Sequence, residues 1–156
     1  MTFRIIALDA APFAPLFALS DAELEQRDIV RRVCTETPGS PCRVSLADAE
    51  PGETLLLLPY EHLPVASPYR SSHAIFVREG AVRAEPAPGE VPEVIVRRLI
   101  SARAFDADGM MTDADVLPGT EVGALLGGWF ADPAVVHVDL HNAKPGCFAA
   151  RAVRAI

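Results

Sequence analysis

Lysine is nearly missing from this sequence: Lys144 stands alone against 13 arginines in 156 residues. Acidic residues outnumber basic ones, 14 minus 21 giving a net charge of −7. No basic tract stands out, which excludes nucleic-acid binding that relies on clustered Lys and Arg to displace counterions from phosphates. Scarce lysine beside abundant Ala, Pro and Arg marks a GC-rich genome, so each arginine carries less functional weight than usual. The three cysteines, Cys34, Cys42 and Cys147, are an odd number with no CxxC spacing. That excludes a disulfide framework and a zinc ribbon, and leaves free thiols. Apolar runs such as Leu55 to Leu58 fall far short of the ~20 residues that span a bilayer. The start, Met1-Thr2-Phe3-Arg4-Ile5-Ile6, lacks the basic-then-apolar layout of a signal peptide, so a cytoplasmic location is expected. No glycine-rich phosphate loop and no GxGxxG is present, so no cofactor is expected.

What the sequence does have is apolar material: half its residues are hydrophobic. At this length one domain is expected, spanning 1–156, able to bury roughly two-thirds of its unfolded surface without a covalent staple. Phe3 to Leu8 reads as an opening strand and Pro12 to Leu19 as a short helical turn. Ser20-Asp21-Ala22-Glu23 has capping-box spacing and starts a short helix ending near Arg27. Strands follow at Ile29 to Thr35, Thr54 to Tyr60 and Ser72 to Glu79, with a proline-bearing loop over Arg83 to Pro92. A strand from Arg97 to Phe105, the turn Asp106-Ala107-Asp108-Gly109 and a strand from Met110 to Val116 form a hairpin. That turn lacks the remaining ligands of a calcium loop. Thr120 to Phe130 is a helix with Val122, Leu125, Leu126 and Trp129 on one side. Ala134 to His141 and Cys147 to Ala155 are strands joined through Pro145-Gly146, which suits a type II turn. Successive hairpins with few helices predict an α+β fold. It is a mostly antiparallel curved sheet or partly open barrel, with two or three short helices packed on it.

Alternation places Val136, Val138 and Leu140 on one face of the penultimate strand and His137, Asp139 and His141 on the other. With His141 and Cys147 flanking the loop, their Cβ atoms sit about 5 Å apart, and His137 pairs with Arg151. The polar row is then either the solvent face of a half-buried sheet or a site. Cys147 argues for the site, because free cysteine is among the most buried residue types. Two chemistries follow: a Cys147 thiolate activated by His141, or a zinc-like ion held by His137, Asp139, His141 and Cys147. Ligands stepping by two along a strand span ~7 Å, too far for one ion to gather all three, so no metal is assigned.

The second informative segment is Tyr69 to Glu79, where Arg70, Ser72 and His73 enter a strand. His73 lies in phase with Ile75 and Val77 and points inward. It is either a core histidine or a proton carrier beside Arg70 and Ser72, which would hold an anionic group. Tyr60-Glu61-His62 ends the preceding strand near the same region, with low specificity as a motif. Cys42 and Cys34 are assigned to the core.

The stretches Phe13 to Leu19, Pro41-Cys42-Arg43-Val44-Ser45-Leu46, Tyr69 to Glu79, Asp108 to Met110 and His141 to Arg151 together resemble the bacterial domain of unknown function 1203 family. The resemblance implies a small domain of soil and plant-associated bacteria and supplies no activity, cofactor or catalytic residue. The expected function is therefore a small-molecule site, enzyme-like or purely binding. Cys147, His141 and His73 are its candidate catalytic residues. Arg43, Arg70, Ser72 and Asn142 are its candidate ligand-binding residues, and a small anionic molecule is the expected partner. The alternatives are a non-catalytic ligand-binding or regulatory module in which the Cys, His and Asn groups are structural, and a structural zinc-like metal site.

Overall fold

The computed structural model describes residues 2–156. The chain runs from β1 (Phe3–Ile6) through a 3-10 turn (Ala14–Ala18) into α1 (Asp21–Glu25). The capping box predicted at Ser20 forms: Glu23 N–H donates to Ser20 Oγ (3.2 Å) and Ser20 N–H donates to the Glu23 carboxylate (3.0 Å). Next come β2 (Val30–Val33), the two-residue β3 (Pro41–Cys42) and β4 (Ala47–Asp48), β5 (Thr54–Leu63) and β6 (Ser71–Arg78). After the proline-bearing loop lie α2 (Glu93–Val96), β7 (Leu99–Phe105) and β8 (Met111–Pro118). A 3-10 turn (Gly119–Glu121) leads into α3 (Val122–Trp129), followed by β9 (His137–Asn142) and β10 (Phe148–Arg154).

The fold is α+β and mostly antiparallel, and the strands divide between two sheets of five with no closed barrel. Sheet A has the order β1-β10-β9-β7-β8, and sheet B the order β2-β5-β6-β3-β4, where the β3–β6 pairing is parallel. Sheet A turns an apolar row of Ile100, Ala102, Ala104, Val138, Leu140, Ala150 and Ala152 toward Val122, Leu126 and Phe130 of α3 and its C-terminus, forming the larger core. The small residues in β7 and β10 let the helix approach closely. In sheet B the in-phase residues Leu56, Leu58, Ile75 and Val77 pack under Phe13, Leu24 and Ile29. One β5–β6 rung further, Tyr60 pairs with His73 and that cover ends. The polar row of sheet A takes its place.

Two expectations need correction here. The β9–β10 register is not the one with His141 facing Cys147. His141 pairs with Phe148, a bulge follows at Ala149, and Arg151 lies opposite Asp139 rather than His137. The loop keeps Cys147, and the bulge shifts every later pair by one residue. Nor is the row His137, Asp139, His141 a solvent face: all three are buried, Asp139 and His141 completely. His62 and His73 of sheet B lie against Asp139 and His141, and Phe105 stacks on His137.

Candidate functional site

The site forms where the end of β5 and the start of β6 meet the C-terminal half of β9. Continuing the inward phase of Leu56, Leu58 and Tyr60 brings His62 to the same face as His73. From the opposite sheet, β9 brings His141. The three imidazoles form a near-equilateral group, with ring centroids 5.0 Å (His62–His73), 4.9 Å (His62–His141) and 5.0 Å (His73–His141) apart. One nitrogen from each ring lies within 4.8 Å of the others. Phe148 stacks on His62 at 4.9 Å and closes one side.

Two rings are oriented by hydrogen bonds, His62 through both nitrogens and His141 through one. His62 Nδ1 meets Asp139 Oδ2 at 3.1 Å, and His141 Nδ1 meets the Gly146 carbonyl at 3.1 Å. His62 Nε2 meets Ser71 Oγ at 2.8 Å. The Nε2 atoms of His73 and His141 are buried without a hydrogen-bond partner. Asp139 is also gripped by Arg151, whose Nε and Nη2 donate to its two oxygens at 2.7 and 3.1 Å. Burial alone would raise this carboxyl, but the hydrogen bonds from His62 and Arg151 overcome it and hold Asp139 below the usual range. Burial pushes His141 down to about 3, with the charge of Arg103 adding to it. His73 and His137 are also lowered, chiefly by burial. His73 and His141 are therefore neutral near pH 7.

Beside this cluster opens a cleft of about 520 Å³. His73, Arg43, Asn142 and Cys147 line it together with Arg97, Arg98 and Lys144. Arg43 is 2% exposed; it donates to the carbonyls of Phe148 (2.7 Å) and Pro41 and to Cys147 Sγ (3.0 Å). Burial lowers its pKa, with Cys147 opposing the shift. Asn142 Nδ2 approaches the same sulfur at 3.7 Å.

The structure thus brings together five of the seven candidate residues: Arg43, His73, Asn142 and Cys147 on the cleft, and His141 immediately behind it. It does not bring Arg70 or Ser72 there. Arg70 reaches outward to an exposed pair with Glu61 (3.2 Å), and Ser72 is exposed on the other face of β6. The contacts of the Cys147 sulfur among the described residues are with Arg43 and Asn142, while His141 Nδ1 meets the Gly146 carbonyl. Cys34 and Cys42 are buried as expected. Sequence reasoning passed over the roles of His62, Asp139, Arg151 and the cleft cations Arg97, Arg98 and Lys144. For His62 the signal was present, since it keeps phase with Leu56, Leu58 and Tyr60.

A family model described as protein of unknown function (DUF1203) matches residues 39–154, and the chain belongs to that family. The match includes four of the five stretches that carried the resemblance; Phe13 to Leu19 lies outside it. No curated protein and no solved structure matches the chain. Among the described residues, no helix is long and apolar enough to cross a membrane.

Proposed function

We propose that this member of the domain of unknown function 1203 family binds a small anionic molecule in the cleft between the entry to β6 and the β9–β10 turn. The observation that carries this reading is Arg43. Its guanidinium is buried, yet among the described residues it pairs with no carboxylate. A buried cation without a counter-charge is costly, and either a Cys147 thiolate or an anion entering the cleft balances it. Lys144 at the mouth makes no ion pair among the described residues, whereas Arg98 and Arg97 share Asp48 at 2.6 and 3.4 Å and Arg97 also meets Glu93 at 3.7 Å. Of the four cations on the cleft, Arg43 and Lys144 thus stand without a carboxylate partner among the described residues, in a chain carrying −7 overall.

In this reading Arg43 and Asn142 orient the bound group, and Cys147 is the candidate nucleophile. Arg43, not His141, is its charge partner. His73 on the cleft wall is the candidate proton carrier, while His141 backs it from the second sheet. Free thiols suit a reducing, cytoplasmic setting. A non-catalytic version rests on the same geometry, since the sulfur accepts from Arg43 and Asn142 and can shape the turn without reacting.

The test is cysteine alkylation read peptide by peptide, with and without phosphate and small carboxylates. Cys147 is expected to label ahead of Cys34 and Cys42, and a saturating anion to slow it. Lys144→Ala is expected to weaken that protection about tenfold, as loss of one favourable charge worth ~1.4 kcal/mol would. If no anion protects Cys147, the binding reading fails. Cys147→Ser then separates the two versions: it abolishes turnover of a bound substrate if the thiol attacks, and leaves ligand binding intact if it does not.

A further inference from the structure

We infer that His62, His73 and His141 hold a divalent transition metal ion of the zinc class, with a coordination position left for water or a ligand from the cleft. Three imidazoles from three strands of two sheets converge with their centroids about equally spaced. Their nitrogens already lie within 4.8 Å of one another. An ion at ~2.1 Å from each in tetrahedral geometry would draw them to about 3.4 Å, so the rings must move inward as it binds. Imidazole is the ligand that zinc and its first-row neighbours favour, and three histidines with an open position is a recurrent catalytic arrangement.

The unpartnered nitrogens separate this inference from a packed aromatic cluster. Buried polar atoms without partners are rare and costly, and an unseen ion is one standard cause. Of four such side-chain atoms among the described residues, two, Nε2 of His73 and Nε2 of His141, belong to the same three-ring group, and Ser45 Oγ and His137 Nε2 lie outside it. The other nitrogens show the support that metal-bound histidines have. His62 Nδ1 rests on the buried carboxylate of Asp139, and His141 Nδ1 rests on the Gly146 carbonyl. Ser71 Oγ sits on His62 Nε2, and its hydroxyl would turn aside as the ion enters. Cations also face the site. Arg151 is neutralised by Asp139, while Arg103 is not and works against the ion. The cleft reaches the group through His73, which lines it, and so supplies an entry path. With an ion bound, His73 acts as a ligand, and its proton-carrying role in the cleft falls away.

This assignment stands independently of the anion cleft, and its test measures metal alone. The chelator-treated full-length protein is titrated with Zn²⁺ and Co²⁺, read by calorimetry and by the visible spectrum of the cobalt form. One ion per chain is expected, with a nitrogen-ligated cobalt spectrum and no thiolate-to-cobalt charge-transfer band. His73→Gln and His141→Gln are each expected to weaken binding by about a hundredfold or more. His137→Gln, which alters the remaining histidine nearby, is expected to bind as the parent does. Circular dichroism checks folding, and the partly exposed His73 variant decides the matter if buried His141→Gln does not fold. Absence of saturable binding by the parent protein, full binding by His73→Gln, or a sulfur charge-transfer band would each overturn the assignment.

Discussion

His141 shows how much a single side chain can ask of its surroundings. It is fully buried, with a pKa pushed to about 3 from an ordinary 6.5. The unfolded chain takes up a proton near pH 6.5 that the folded, metal-free protein refuses. Stability is therefore fully present above about pH 6.5 and falls as pH drops toward 3, by up to ~1.4 kcal/mol per pH unit for this group. His73 shifts the same way but is partly exposed and contributes less. Urea unfolding of chelator-treated protein from pH 7.5 to 5 should show the midpoint dropping, and His141→Asn should flatten the slope. A parent curve that stays level over that range would contradict the burial argument.

At the level of elements, several local signals in the sequence were readable because they are local. The capping box at Ser20, the turn at Asp106 to Gly109 and the Pro145-Gly146 turn each fall where they were expected. Gly146 takes the positive φ of 79° that its turn demands, and its carbonyl orients His141. Three things were not readable. A bulge at Ala149 leaves no compositional trace, yet it decides which residue faces Asp139. The row His137, Asp139, His141 has the same alternation whether water or a second sheet covers it. α2 was missed because its four residues, Glu93 to Val96, are too few to show helical periodicity. Its packing yields a prediction at the β8–α3 junction. A Cβ on Gly119 would lie 1.9 Å from the Ile95 carbonyl oxygen, so the two backbones touch there. Gly119→Ala is expected to cost at least ~2 kcal/mol in urea unfolding. By contrast, Gly128→Ala, where nothing lies within 4 Å, should be neutral or stabilising.

For the molecule as a whole, the important contact is between the sheets, and Arg151 carries much of it. From sheet A it holds Asp139 and donates to the His62 carbonyl of sheet B at 2.9 Å. Arg151→Ala leaves Asp139 buried with its main charge partner gone, and is expected to cost about 3 kcal/mol. Adding Asp139→Asn should recover part of that loss, so a double-mutant cycle by urea unfolding should be clearly non-additive. Strict additivity would show that the sheets dock without this bridge. The sheet order also has a consequence in time. β1, the first strand, is paired with β10, the last, while β5 and β6 pair within one short stretch of chain. On the ribosome, His62 and His73 can therefore take their places early, on a hairpin whose polar end still faces water. His141 reaches them only after β9 has been made and has paired with β7 and β10. The completed three-histidine group thus comes after its own hairpin, and its presence in a cell extract would mark chains whose two sheets have docked.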